Sequence, residues 1–89
     1  MFWNAVNNAT YCFMNKFKYP GGTIYMNRQF YNALENEMVG DQWWFLIKEN
    51  SIRCMKIIID DNQVLFTIKG IEGDELVITN FNFNKYTKF

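Results

Sequence analysis

Turn-forming clusters cut the second half of the chain into short apolar runs, and this punctuation limits the fold more than any other feature. The clusters are Glu49-Asn50-Ser51, Asp60-Asp61-Asn62 and Gly70 to Asp74. Asn and Asp hydrogen-bond their own backbone and tolerate left-handed conformations, and Gly adopts them freely, so each cluster favours a reversal. The runs between them are Gln42 to Lys48, Ile52 to Ile59, Gln63 to Lys69 and Glu75 to Phe83. In the third run Val64, Phe66 and Ile68 alternate with Leu65, Thr67 and Lys69, and in the fourth Val77, Thr79, Phe81 and Phe83 fall on one face. The first, QWWFLIK, is dense in aromatic and apolar residues, as expected of a strand buried on both faces. Connections this short predict hairpins, hence an antiparallel meander over residues 42–83.

The first half is broken by Pro20-Gly21-Gly22, which contains the only proline. Before it, Phe2, Val6, Ala9, Phe13 and Phe17 recur at helical spacing, while Tyr11, Phe13, Phe17 and Tyr19 also fit strand alternation. The many asparagines disfavour a helix. These signals together predict a short helix over 2–9 running into a strand over 10–19. After the glycines, Thr23 to Met26 reads as a strand and Asn27 as an N-cap. Phe30, Leu34 and Met38, with Tyr31 beside them, predict a helix over 28–37 that Gly40-Asp41 ends. The expected fold is α+β: an antiparallel sheet of about five or six strands with one short helix near 28–37 and an N-terminal helix as the second candidate. Residues 1–89 suit a single domain.

A small chain needs an apolar-rich core, and this one is 49% hydrophobic and 19% aromatic, enough to leave aromatic surface outside the core. Nine acids balance nine bases, which argues against a strongly basic nucleic-acid binder and against a polyacidic mimic of DNA. The charges are sorted, however. Residues 1–34 carry only Lys16, Lys18 and Arg28, whereas every acid lies between Glu35 and Glu75. Cys12 and Cys54 lack metal or redox spacing and read as buried free thiols in a reducing compartment, with a disulfide between them as the alternative. The N-terminal residues show no signal-peptide pattern, and no run reaches the ~18 apolar residues of a membrane span. The abundance of Asn, Ile, Lys, Phe and Tyr, with scarce Ala, Arg and Pro, matches AT-rich coding. That association points to a phage or other mobile element and to the cytoplasm of a bacterial host.

The chemistry available to such a chain is limited. Histidine is absent, which removes the commonest general base. The only serine, Ser51, sits in a predicted turn. Asp60-Asp61 and Asp74-Glu75 could hold a cation or act as acid and base, but Asp is expected in turns for backbone reasons. Gly21-Gly22 lacks the lysine and spacing of a phosphate loop. No catalytic residue, cofactor or metal is expected, and binding remains.

The candidate binding residues follow from exposure and charge. In a strand, Trp43 and Trp44 point to opposite faces, so one is left to be covered or to anchor a partner. Tyr25 and Tyr31 are further candidate anchors, and Arg28, Lys16 and Lys18 the candidate phosphate contacts. The tail interleaves Phe81, Phe83 and Tyr86 with lysines and amides, as in either a base-stacking strand or a half-buried edge strand. One resemblance spans residues 21–58. Gly22-Thr23-Ile24, Asn27-Arg28-Gln29-Phe30, Ala33-Leu34, Gly40-Asp41 and Ile47 resemble AbrB/MazE-type swapped-hairpin proteins, although Met26-Asn27 stands where that family places a proline. The resemblance implies a dimeric DNA-binding regulator or antitoxin, with Arg28 near a DNA-contacting position. From the residues themselves, the leading expectation is a small non-enzymatic protein that binds and blocks a host protein, such as a nuclease or another defence component. A homodimer is compatible with this, nucleic acid is the less favoured partner, and no membrane association is expected.

Overall fold

The computed structural model describes residues 1–81. Its elements, in order, are helix α1 (Phe2–Phe17), strand β1 (Thr23–Met26), helices α2 (Arg28–Met38) and α3 (Trp44–Lys48), and strands β2 (Ser51–Ile52), β3 (Met55–Ile59), β4 (Phe66–Lys69) and β5 (Glu75–Ile78). The five strands form one sheet in the order β2-β3-β1-β4-β5. The class is α+β as expected, but the sheet is mixed: β1 runs parallel to β3 and antiparallel to β4. Only β2–β3 and β4–β5 pair as sequential antiparallel neighbours. The meander expected over 42–83 is therefore interrupted, because β1 inserts between β3 and β4. The crossover through α2 makes the parallel pair, as a β-α-β connection does.

Asn27 shows how local chemistry starts α2. Its Oδ1 accepts the Phe30 N–H at 2.6 Å, while its Nδ2 donates to the carbonyls of Gln63 at 3.1 Å and Val64 at 2.8 Å. One side chain thus caps the helix and ties it to the segment entering β4. Helix α1 is continuous over the stretch expected to be part strand. It buries Ala5, Val6, Ala9, Thr10, Cys12 and Phe13, and that packed stripe outweighs the low propensity of its asparagines. Lys18, in the left-handed conformation at φ 67°, closes it, its N–H bonding the Met14 carbonyl at 2.9 Å. At the other end Glu37 of α2 accepts hydrogen bonds from the Phe2 and Trp3 backbone N–H groups and from the Met1 amino group. Burial pushes its carboxyl up, but the bonds to Met1, Phe2 and Trp3 more than offset this and hold it below the usual carboxylate range.

Cross-strand register sorts the sheet into two faces. Ile57, Ile24, Ile68 and Leu76 line up across four strands, as do Ile59, Met26, Phe66 and Ile78. These rows meet the buried faces of α1 and α2 in one core, where the rings of Phe30 and Phe66 lie 5.0 Å apart. Tyr25, Ile58, Thr67 and Val77 lie on the opposite face, with Lys56, Thr23, Lys69 and Glu75 in the next row.

Three other expectations are corrected. The run Gln42 to Lys48 is a turn and a short helix: the Asp41 carboxylate accepts the Trp43 N–H at 2.9 Å, and of α3 only Ile47 is buried. Val64 lies before β4 and is 65% exposed, so it does not point inward. Strand β5 ends at Ile78, with Leu76 and Ile78 inward and Val77 outward; the continuation expected to Phe83 is not a strand at Thr79 to Phe81 and otherwise lies outside the described residues.

Candidate functional site

A tight hairpin builds one wall of an apolar cavity. Strands β2 and β3 pair Ile52 with Met55, leaving Arg53 and Cys54 as a two-residue turn. Both adopt positive φ, 51° and 65°, the backbone of a type I′ turn, which normally draws Asn and Gly. Non-glycine residues in this region are strained by about 1–2 kcal/mol each, and such strain concentrates where a side chain is needed in place. The turn projects beside a cavity of about 400 Å³ lined by Trp3, Trp43, Leu46, Ile47, Ser51, Ile52, Arg53 and Cys54. Ile47 and Ile52 belong to the buried core, Trp3 is half-buried, and Trp43 is 49% exposed.

Helix α3 is held in place to form the other wall. The hydroxyl of buried Tyr31 on α2 donates to the Ile47 carbonyl at 3.1 Å. Burial first, and the neighbouring Glu35 second, push the Tyr31 hydroxyl above its ordinary range, so it stays a donor at neutral pH. Trp44 packs against the core with the Lys48 ammonium 4.6 Å from its ring centre. Trp43 is the indole left facing the cavity.

Arg53 supplies the charge. Its guanidinium carbon lies 5.1 Å from the centre of the exposed Tyr11 ring, a cation–π contact. Among the described residues the ion pairs are Met1–Glu37 and Lys69–Glu75, so the guanidinium faces no acid there. A second cavity of about 410 Å³ lies on the sheet face opposite the helices, lined by Tyr25, Thr67, Val77, Lys69, Glu75 and the Asp60 to Val64 loop. Its polar groups largely satisfy one another. Lys69 pairs with Glu75 at 3.8 Å, the Thr67 hydroxyl donates to Gln63, and Asp60 accepts from the Gln63 amide and the Asn62 N–H, which hold its carboxyl below the ordinary range. The apolar cavity with the unpaired cation is the stronger candidate.

The residues singled out in the sequence are scattered. Trp43 lines the apolar cavity and Tyr25 the polar one. Tyr31 is in the core, and Trp44 packs beside it. Phe81 lies partly buried against Phe2 and Phe30, with ring centres 5.4 and 6.2 Å away. Lys16, Lys18 and Arg28 are exposed, the two lysines at the C-terminal end of α1 and Arg28 at the start of α2, with Lys16 over Phe17 and Arg28 over Tyr31. Phe83 and Tyr86 lie outside the described residues. Of the two thiols expected to be buried, Cys12 is, and burial pushes its pKa up. Cys54 is exposed, because the turn turns it outward. Sequence reasoning missed Trp3 and Arg53. The spacing of Trp3, Asn7, Tyr11 and Met14 on one helical stripe would have pointed to Trp3 had α1 been read as continuous.

Among the described residues no three His, Cys, Asp or Glu side chains cluster as a metal site, and no helix is long and apolar enough to cross a membrane. Comparison of the chain with protein-family models, curated proteins and solved structures finds no match.

Proposed function

We propose that this chain is a small non-enzymatic protein-binding protein, encoded by a phage or other mobile element, that inhibits or modulates a host protein by steric occlusion. A nuclease or another defence component is the kind of target that fits. The observation carrying this reading is the apolar cavity between Trp3 and Trp43, with the exposed Trp43 indole on one side and the strained Arg53-Cys54 turn on another. Tryptophan and arginine at the edge of a desolvated pocket are the usual anchors of a protein interface, and a stable complex would cover about 800 Å² of this surface.

The test is capture from host lysate with wild-type protein and a Trp43→Ala variant of matched stability. A stoichiometric protein captured by the wild type and lost with the variant supports the reading. An empty capture, or one indifferent to Trp43, counts against it. The swapped-hairpin resemblance carries a second reading, a dimeric DNA-binding regulator, for which the exposure of Lys16, Lys18 and Arg28 is the supporting observation. Its signature is a duplex-DNA shift that weakens steeply as salt rises, unlike an apolar interface.

A further inference from the structure

We propose that the cavity between α1, α3 and the β2–β3 turn takes one bulky apolar side chain from an extended partner segment, and that Arg53 reads a carboxylate next to that side chain. The proposal rests on the protein-binding reading and names the chemistry of the partner.

The cavity fixes the first half of this chemistry. Its floor is Ile47 and Ile52, its walls are Trp3, Trp43 and Leu46, and its volume is about 400 Å³. That is near the lower end of ligand pockets and is roomy enough for a bulky Phe, Trp, Leu or Met side chain. The second half comes from charge. Among the described residues, Arg53 is the only charged one lining the cavity. The face of its guanidinium is engaged by the Tyr11 ring, but a cation–π contact leaves the N–H groups at the edge of the plane available. No acid among the described residues pairs with them. A carboxylate is the planar group that such a fork binds in bidentate fashion, and a lysine-bearing segment would be repelled. The turn strengthens the argument, since an Asn-Gly sequence would form it with less strain but would forfeit the guanidinium. Nucleic acid fits less well: one cation beside an apolar cavity lacks the run of basic contacts that tracks a phosphate backbone.

The experiment titrates the whole chain with short blocked peptides on a Gly-Ser frame. One carries Asp-Phe at its centre, and its twins carry Lys-Phe, Ser-Phe and Asp-Ala. Binding is read from the indole N–H resonances of Trp3 and Trp43. The Asp-Phe peptide is expected to bind about tenfold tighter than the Lys-Phe twin, with Asp-Ala showing no binding. Arg53→Gln should bring the two Phe peptides within about twofold of each other, and Arg53→Lys should retain part of the preference as a point charge without the fork. A far-UV circular dichroism spectrum and a urea midpoint matching those of wild type show that the variant keeps its fold. Equal affinity for Asp-Phe and Lys-Phe in the wild type overturns the proposal, as does an Arg53→Gln variant that keeps the preference. Phenylacetate binding as tightly as the Asp-Phe peptide overturns it in favour of a small-molecule site, and tighter binding of oligothymidylate overturns it in favour of nucleic acid. A host protein whose capture depends on Trp43, together with peptides that fail, leaves the protein-binding reading standing and removes only the carboxylate rule. Peptides that behave as expected, together with a capture indifferent to Trp43, do the reverse.

Discussion

Replacing Cys54 by glycine should stabilise the protein, and the size of the gain tests whether the β2–β3 turn is strained. Cys54 holds φ at 65° with its side chain exposed. A side chain in this region crowds the following carbonyl by about 1–2 kcal/mol, a penalty glycine lacks. Against this stands the greater freedom that glycine gives the unfolded chain, about 0.5–1 kcal/mol. An exposed thiol contributes little packing, so the net gain is about 0.5–1 kcal/mol. For a domain of this size that raises Tm by roughly 2–8 °C. Arg53→Gly is the control. It relieves the same kind of strain at φ 51° but removes the contact with Tyr11, worth about 0.5–1 kcal/mol at an exposed site, so its net effect is close to zero. Urea unfolding followed by circular dichroism, with unchanged m-values, measures both. A Cys54→Gly variant that is no more stable than wild type refutes the strain. An Arg53→Gly variant that gains as much as Cys54→Gly refutes the contribution of the Tyr11 contact.

Gly70→Ala should act in the opposite direction, because a Cβ there would lie 2.6 Å from the ring carbons of Tyr19; the overpacking costs about 1–3 kcal/mol in urea unfolding, and Tyr19→Ala should remove most of that difference in a double-mutant cycle. Asn27→Ala removes the α2 cap and the two bonds to the Gln63 and Val64 carbonyls and should lower stability by about 1–3 kcal/mol, with faster amide exchange at Phe30. The Glu37 carboxyl is held below its ordinary value in the folded state, so its contribution is complete above the unfolded pKa and disappears as pH falls through the folded one; the urea midpoint of Glu37→Gln should therefore fall less than that of wild type on acidification. Trp43→Ala should change stability by less than about 1 kcal/mol, whereas Trp44→Ala, which opens a packed site, should cost about 2 kcal/mol or more; the reverse order would exchange the roles of the two indoles.

The contrast between α2 and α1 shows which parts of the fold were legible. Helix α2 could be read from Asn27 and the four-residue recurrence of Phe30, Leu34 and Met38, because its cap and its buried stripe are both local. In α1 the stripe is also present, but Asn4, Asn7, Asn8 and Asn15 obscure it. Packing of small residues such as Ala5 and Ala9 against the core fixes that helix, and such packing leaves little trace in propensity. The Asp60 to Asn62 turn was legible for the same local reason, with Asp60 accepting the Asn62 N–H. The parallel pairing of β1 with β3 was not. Short loops predict which strands can form hairpins, but they do not exclude a strand from elsewhere in the chain inserting between two runs.

The site was legible only in part, and the reason lies in α3. A dense apolar run satisfies strand and helix templates equally, so QWWFLIK was read as a buried strand with its two indoles on opposite faces. Trp43 instead lies in the turn before α3 and Trp44 opens the helix, so strand alternation does not apply: Trp44 packs with the core and Trp43 turns to the cavity. The inference that one tryptophan would be left for a partner therefore singled out a cavity-lining residue through an incorrect element. Arg53 had no comparable signal. As one of two bases in a predicted strand, beside Lys56, it looked like ordinary surface charge, and its setting emerges only once three facts combine: a turn that holds it at positive φ, a tyrosine from α1 beneath its face, and no acid among the described residues to neutralise it. The turn is local, but the other two depend on how elements distant in the chain pack together, so the charge at the cavity rim is a property of the packed molecule.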